Sequence, residues 1–82
     1  MKKHVKVYFD FFGFTKSDFI PCENCGSIAV DIHHLIFKSQ LGKDIISNLM
    51  ALCRECHNKA HASKEFNNNL KLIHDKKRDN FI

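Results

Sequence analysis

Two residue types that bind metal crowd one stretch of this chain. Cys22 and Cys25 stand in "PCENCG", Cys53 and Cys56 in "CRECHNKAH", and His33 and His34 lie between them in "DIHHL". A Cys-x2-Cys turn aims two thiolates at one ion at about 2.3 Å, and two such turns close a tetrahedron. A site of four thiolates leaves no position open for water, so its role is structural. The competing readings are a redox pair or buried free thiols. A redox Cys-x2-Cys would normally occur once, beside a βαβ pattern that is absent here. The four cysteines therefore predict one structural Zn²⁺, tying the segment before the first strand to the start of the last helix. They also predict an apo chain that is largely unfolded.

The histidines need a separate account. His57 and His61 are four apart, so on a helix they lie one turn above each other and can share an ion. Spacing alone favours a pair of surface histidines on a polar helix. His33 and His34 are adjacent, and on a regular strand they point to opposite faces. Both reach one site only if the strand ends or bends there; otherwise one is exposed and one packed. The knuckles bracket all four and hold strand and helix close together.

The elements that would position them are legible in outline. Residues 4–14, "HVKVYFDFFGF", fit helical and strand spacing both, and Gly13 after the run favours a helix. "CENCG" is a knuckle, with Gly26 as the left-handed residue. "SIAVDIHHLI" is rich in β-branched residues and predicts a strand, "FKSQLGKDIIS" a loop, and "NLMAL" a second strand. "CREC" is the second knuckle and "HNKAHAS" opens a helix. Ser63 is placed to cap a further helix with Phe66, Leu70 and Ile73 on one face. The expectation is a small α+β domain: knuckle, strand, loop, strand, knuckle, helix, with helical pieces at both ends.

Length and charge bound the rest. Eighty-two residues make one small domain, of a size that often carries a metal or disulfide staple. An apolar content of 44%, with eight Phe, is enough for a real core. No stretch is long and apolar enough to span a membrane, and the N-terminus does not read as a signal peptide, since Asp10 interrupts it. The expected compartment is the reducing cytoplasm, where paired cysteines bind metal before they form disulfides. The formal charge of +4 comes from the two ends, with a balanced middle over 22–62. Basic ends around a central site suit a polyanion; a plain solvated surface accounts for them equally.

The string "CENCG … DIHHL … SNLMALCRECHNKAH" resembles the HNH endonuclease family, in the zinc-stapled form common in bacteria and phages. The resemblance covers residues 22–61. It implies a ββα-metal (His-Me finger) core over 22–62, flanked by 1–21 and 63–82, with the whole of 1–82 forming a single nuclease domain. It implies metal-dependent hydrolysis of phosphodiesters in double-stranded DNA. His34 matches the family's general base, and an ordinary imidazole pKa of about 6.5 suits that work. His33, His57 and His61 match ligands of one catalytic divalent metal (Mg²⁺, Mn²⁺, Co²⁺, Ni²⁺ or Zn²⁺). Asn48 matches the central Asn, which holds the inter-strand loop and aims the base; that role needs donor and acceptor together. The metal would stabilise charge on the phosphate and the leaving oxygen. Imidazole ligands favour softer ions over Mg²⁺. Asp31 is either a partner for the His33 ring or an exposed acid.

Lys38, Lys43, Arg54, Lys76, Lys77 and Arg78 are placed as phosphate-contacting residues; the last three also read as the polar face of an ordinary helix. Phosphate contacts give affinity without sequence, and no groove-reading element is visible. Low specificity and single-strand nicking are expected. A zinc-ribbon binder without catalysis is the alternative, as is a phage DNA-packaging factor working with terminase and portal proteins in a bacterial host. A pure binder has no use for His34, Asn48 and His57. His4 and His74 read as surface residues.

Overall fold

The computed structural model describes residues 1–81. Helix α1 (Lys3–Phe12) is followed by strand β1 (Asp31–His34), strand β2 (Leu49–Leu52), helix α2 (Arg54–Ala62) and helix α3 (Lys64–Phe81). This is a small α+β fold. The strands are antiparallel, with Asp31 opposite Leu52, Ile32 opposite Ala51, His33 opposite Met50 and His34 opposite Leu49.

All four residues of β2 are buried, because the two-stranded sheet is covered on both faces. Side chains alternate along a strand. Met50 and Leu52 therefore pack one way, with Leu35, Ala60 and Leu70. Leu49 and Ala51 pack the other way, with Tyr8 and Phe12 of α1. The same alternation sorts the histidines. His33 points toward α2 and α3, and His34 points toward α1.

Strand β1 is shorter than "SIAVDIHHLI" predicts. Upstream of it, Ile28 pairs with Pro21 instead and the Ala29 N–H donates to the Ile20 carbonyl, so that stretch belongs to the first knuckle. Gly26 sits at φ 82° in that knuckle, a conformation that suits glycine. The inter-strand loop is tightened by two short 3₁₀ turns, Lys38–Gln40 and Ile46–Asn48. Gly42 is required there, since a Cβ would lie 1.7 Å from the Ile36 carbonyl oxygen.

Helix α2 begins at Arg54, with the Cys53 sulfur accepting from the Cys56 N–H as its N-cap. The knuckle thus leads into the second helix of three, not the last. Ser63 caps α3 through its hydroxyl to the Phe66 N–H, as expected. The buried face of α3 differs from the forecast. Ile73 is exposed, while His74, read as a surface residue, is fully buried. Its Nδ1 lies 2.7 Å from Glu23 Oε1 and its Nε2 2.7 Å from the Ile46 carbonyl oxygen. The Tyr8 hydroxyl donates to the other Glu23 oxygen at 2.6 Å. Buried polar groups need such partners, and this set joins α1, the first knuckle and α3 beside Ala51 of β2.

Candidate metal and catalytic centre

The four cysteine sulfurs lie together, each within 4.8 Å of the others. Cys25 Sγ and Cys53 Sγ are 3.7 Å apart. Four sulfurs at about 2.3 Å around a tetrahedral ion would be about 3.8 Å apart, so the cluster fits Zn²⁺. No disulfide joins them; all four are free. Backbone and side-chain N–H groups already serve the sulfurs: Asn24 Nδ2 donates to Cys56 Sγ at 3.4 Å, as the Cys56 N–H does to Cys53 Sγ. Hydrogen bonds from Ser27, foremost, draw the Cys25 thiol down to about 6. Burial pushes the Cys56 thiol up to about 12, a cost that a cation among the sulfurs removes.

A cleft of about 440 Å³ opens beside the end of β1. Five of the six histidines line it: His4, His33, His34, His57 and His61. β1 ends at His34, so both neighbours reach the cleft although they face opposite ways. They enter two separate clusters, His33 with His57 and His61, and His34 with His4 and Asp44.

In the first cluster two of the three rings are oriented by hydrogen bonds from behind. His33 is 2% exposed. Its Nε2–H donates to Asn67 Oδ1 at 2.7 Å, and Asn67 Nδ2 donates onward to the Leu35 carbonyl, which sets the amide's orientation. The His33 lone pair is then on Nδ1. Burial draws its pKa down to about 4, so the ring is neutral, as a ligand must be. His57 Nδ1–H donates to Asp31 Oδ2 at 2.9 Å, leaving Nε2 free. A carboxylate behind a ligating imidazole fixes its tautomer and raises its basicity. The His57 and His61 Nε2 atoms are 3.0 Å apart. Two lone pairs at that distance repel unless a proton or a cation lies between them. Nitrogens about 2.1 Å from one ion at right angles would be about 3.0 Å apart, so three imidazoles here fit a divalent ion. Asp31 is thus neither a partner of His33 nor a plain exposed acid: it serves His57, and it also pairs with Arg54 Nε at 3.2 Å.

In the second cluster His34 Nε2–H donates to Asp44 Oδ1 at 2.7 Å. That bond, foremost, holds the Asp44 carboxyl below its usual range. The unprotonated nitrogen of His34 is therefore Nδ1. His4, read as a surface residue, is half-buried on α1 with its ring centroid 4.8 Å from that of His34. Burial and then His34 hold its pKa below the ordinary value.

Asn48 is buried and bonds as a clamp. Its Oδ1 accepts from the Ile36 N–H at 2.6 Å, and its Nδ2 donates to the Ile36 and Lys43 carbonyls. Both ends of the inter-strand loop are closed on it, and the loop carries Asp44 to His34.

The family model for HNH endonuclease matches residues 22–63, half of the chain. The chain belongs to the HNH endonuclease family. It is also 33% identical over 63 residues to the type IV methyl-directed restriction enzyme EcoKMcrA of Escherichia coli (strain K12), a match that covers 65% of this chain and 23% of that enzyme. No solved structure matches it significantly. This HNH chain thus spans about a quarter of the restriction enzyme's length.

The basic residues distribute unevenly around the HNH cleft. Lys38 lines it and pairs with Asp44 at 3.3 Å. Arg54 stands at its edge through Asp31, and Lys43 is exposed on the loop. On α3, Lys76 is exposed, Lys77 Nζ lies 5.5 Å above the Phe12 ring, and Arg78 pairs with Asp75 at 2.6 Å. Those three are away from the cleft lining. Sequence reading missed Lys2, which lines the cleft, as well as Asn67 and Asp44. Asn67 had no local signal, since it meets His33 across 34 positions.

Proposed function

We propose that this HNH chain is a metal-dependent DNA endonuclease with a ββα-metal core, β1 and β2 forming the hairpin and α2 the helix. The observation that carries this reading is the convergence of His33, His57 and His61 on one point beside His34 in a single cleft. A divalent ion held by those three would supply Lewis-acid stabilisation to a phosphate oxygen. His34 Nδ1 accepts the proton of the attacking water. Asp44 holds that tautomer and faces the ring so that the resulting imidazolium is paired. Asn48 fixes the loop from which Asp44 acts. Lys2 and Lys38 draw the phosphate backbone toward the cleft, and the product is a nick with little sequence preference. Lys43 and Arg54 extend the same basic rim; Lys76, Lys77 and Arg78 would meet DNA only beyond the cleft. Double-stranded DNA is the substrate; a regulated role beside phage terminase and portal proteins would show as nicking that rises when those partners are added.

The test is nicking of supercoiled plasmid in a metal series. Mn²⁺, Co²⁺ and Ni²⁺ are expected to support conversion to open circle at least as well as Mg²⁺, because imidazole donors favour them. A strict Mg²⁺ requirement would remove His33 from the ligand set, and no cleavage with any ion would leave a binding module.

Asp31→Asn gives a second expected outcome. Losing the carboxylate behind His57 weakens binding of the catalytic ion by about 10–100-fold without displacing zinc from the cysteines. Metal titration followed by nicking and by equilibrium dialysis reads both. Unchanged affinity would mean that Asp31 merely anchors Arg54.

A further inference from the structure

We propose that His4, His34 and Asp44 form a second, inhibitory site for a borderline transition cation such as Co²⁺ or Zn²⁺. The inference rests in part on the assignment of His34 as the base.

The donor atoms of the three residues all lie within 4.8 Å of one another. His34 Nε2 and Asp44 Oδ1 are already 2.7 Å apart, close to the separation of neighbouring ligands on one ion, about 3.0 Å. His4 supplies the third donor from the first turn of α1, its ring centroid 4.8 Å from that of His34. Two imidazoles and one carboxylate suit Zn²⁺, Co²⁺ or Ni²⁺ and not Mg²⁺. Asp44 and His34 are mostly buried, each side chain 13% exposed, so the cation would sit in the wall of the cleft. Lys38 Nζ must leave Asp44 Oδ2, a 3.3 Å contact from a side chain that is 64% exposed. Lys2 also lines the cleft and opposes a cation. The site is therefore weaker than the three-histidine site and fills after it.

Filling it silences the base by a change of tautomer. In the free protein the His34 proton is on Nε2, facing Asp44, and the lone pair is on Nδ1. A cation bound to Nε2 takes that nitrogen's lone pair, so the neutral ring must carry its proton on Nδ1. No net proton is gained or lost, but the atom that would accept one from water is occupied. Activity should rise with metal as the first site fills and fall as the second does.

The experiment uses Co²⁺ with the structural zinc in place, on the wild type and on His4→Gln. Equilibrium dialysis is expected to count two Co²⁺ for the wild type, and in H4Q the second should bind about tenfold or more weakly than in the wild type. An anomalous difference map from a Co²⁺-soaked crystal should place the second ion among His4, His34 and Asp44. Nicking by the wild type should pass through a maximum with Co²⁺, and in H4Q the falling limb should move to higher concentration by about tenfold or more. One Co²⁺ in the wild type, or a second Co²⁺ bound by H4Q as tightly as by the wild type, would overturn the site. Two ions with no falling limb would overturn the inhibition. Absence of nicking at every concentration would instead refute the nuclease reading, and dialysis and the map would still decide whether the site exists.

Discussion

His34→Ala is expected to lower plasmid nicking by about 10²–10⁴-fold, the usual contribution of a positioned general base, while the protein stays folded and zinc-loaded. His34 lies on the α1 face of the sheet, bonded to Asp44 and beside His4. The cysteine cluster and the cluster of His33, His57 and His61 contain none of these groups. The substitution thus removes the proposed proton acceptor without touching either of the other two clusters. Circular dichroism and one zinc per chain would certify the fold, and unchanged binding of the catalytic ion would certify the other three histidines. Under those controls the loss belongs to the chemical step. A variant that nicked within about threefold of wild type, well short of the 10² expected for a base, would show that water is activated elsewhere. The metal series run on the same variant separates the cases, because a His34 that served as a ligand would change metal preference as well as rate.

Much of this centre was legible because its spacing is local. Cys22 with Cys25, Cys53 with Cys56 and His57 with His61 are each set by one turn of chain, and local geometry is what a sequence displays. Asn48 and the histidine pair of β1 were legible through the family pattern. What escaped was decided by register and by docking. Whether Asp31 serves His33 or His57 depends on how α2 lies against β1, across 26 positions. Asn67 reaches His33 only because α3 folds back over α2, a turn fixed at Ser63 but aimed by packing. His74 looked like a surface residue since nothing near it in sequence hints that Glu23, 51 positions away, will meet it. The strand over "SIAVDIHHLI" ran long for a related reason: β-branched residues suit any pleated surface, but β2 offers only four partners between Asn48 and Cys53. Asp44 is the instructive case. It stands in a loop of unremarkable composition, and only closure of that loop on Asn48 carries it to His34.

Stripping the structural zinc is expected to unfold the chain. A domain of this length holds about 4–12 kcal/mol of stability by the usual per-residue scale. Structural zinc sites contribute apparent binding energies of about 10–16 kcal/mol at neutral pH, so the fold should not survive without the ion. The architecture gives a reason. Cys22 and Cys56 are members of the same buried cluster as Met50, Leu52 and Leu70, so an ion held by the cysteines would sit against the core and not on an appendage. Without it, four thiols remain packed where burial opposes their ionisation at Cys56, and the first knuckle loses its tie to α2. Far-UV circular dichroism after treatment with a strong chelator should show loss of most helical signal, recovered on adding Zn²⁺. Cys56→Ser should fail in the same way. His61→Ala is the contrast: its exposed side chain belongs to the proposed catalytic cluster and not to the cysteine cluster, so it should lose activity and keep its spectrum. Retention of the wild-type spectrum in chelator would mean that the two packed faces of β2 suffice to hold the sheet. The proposed zinc would then serve to position α2, and with it His57 and His61, rather than to fold the chain.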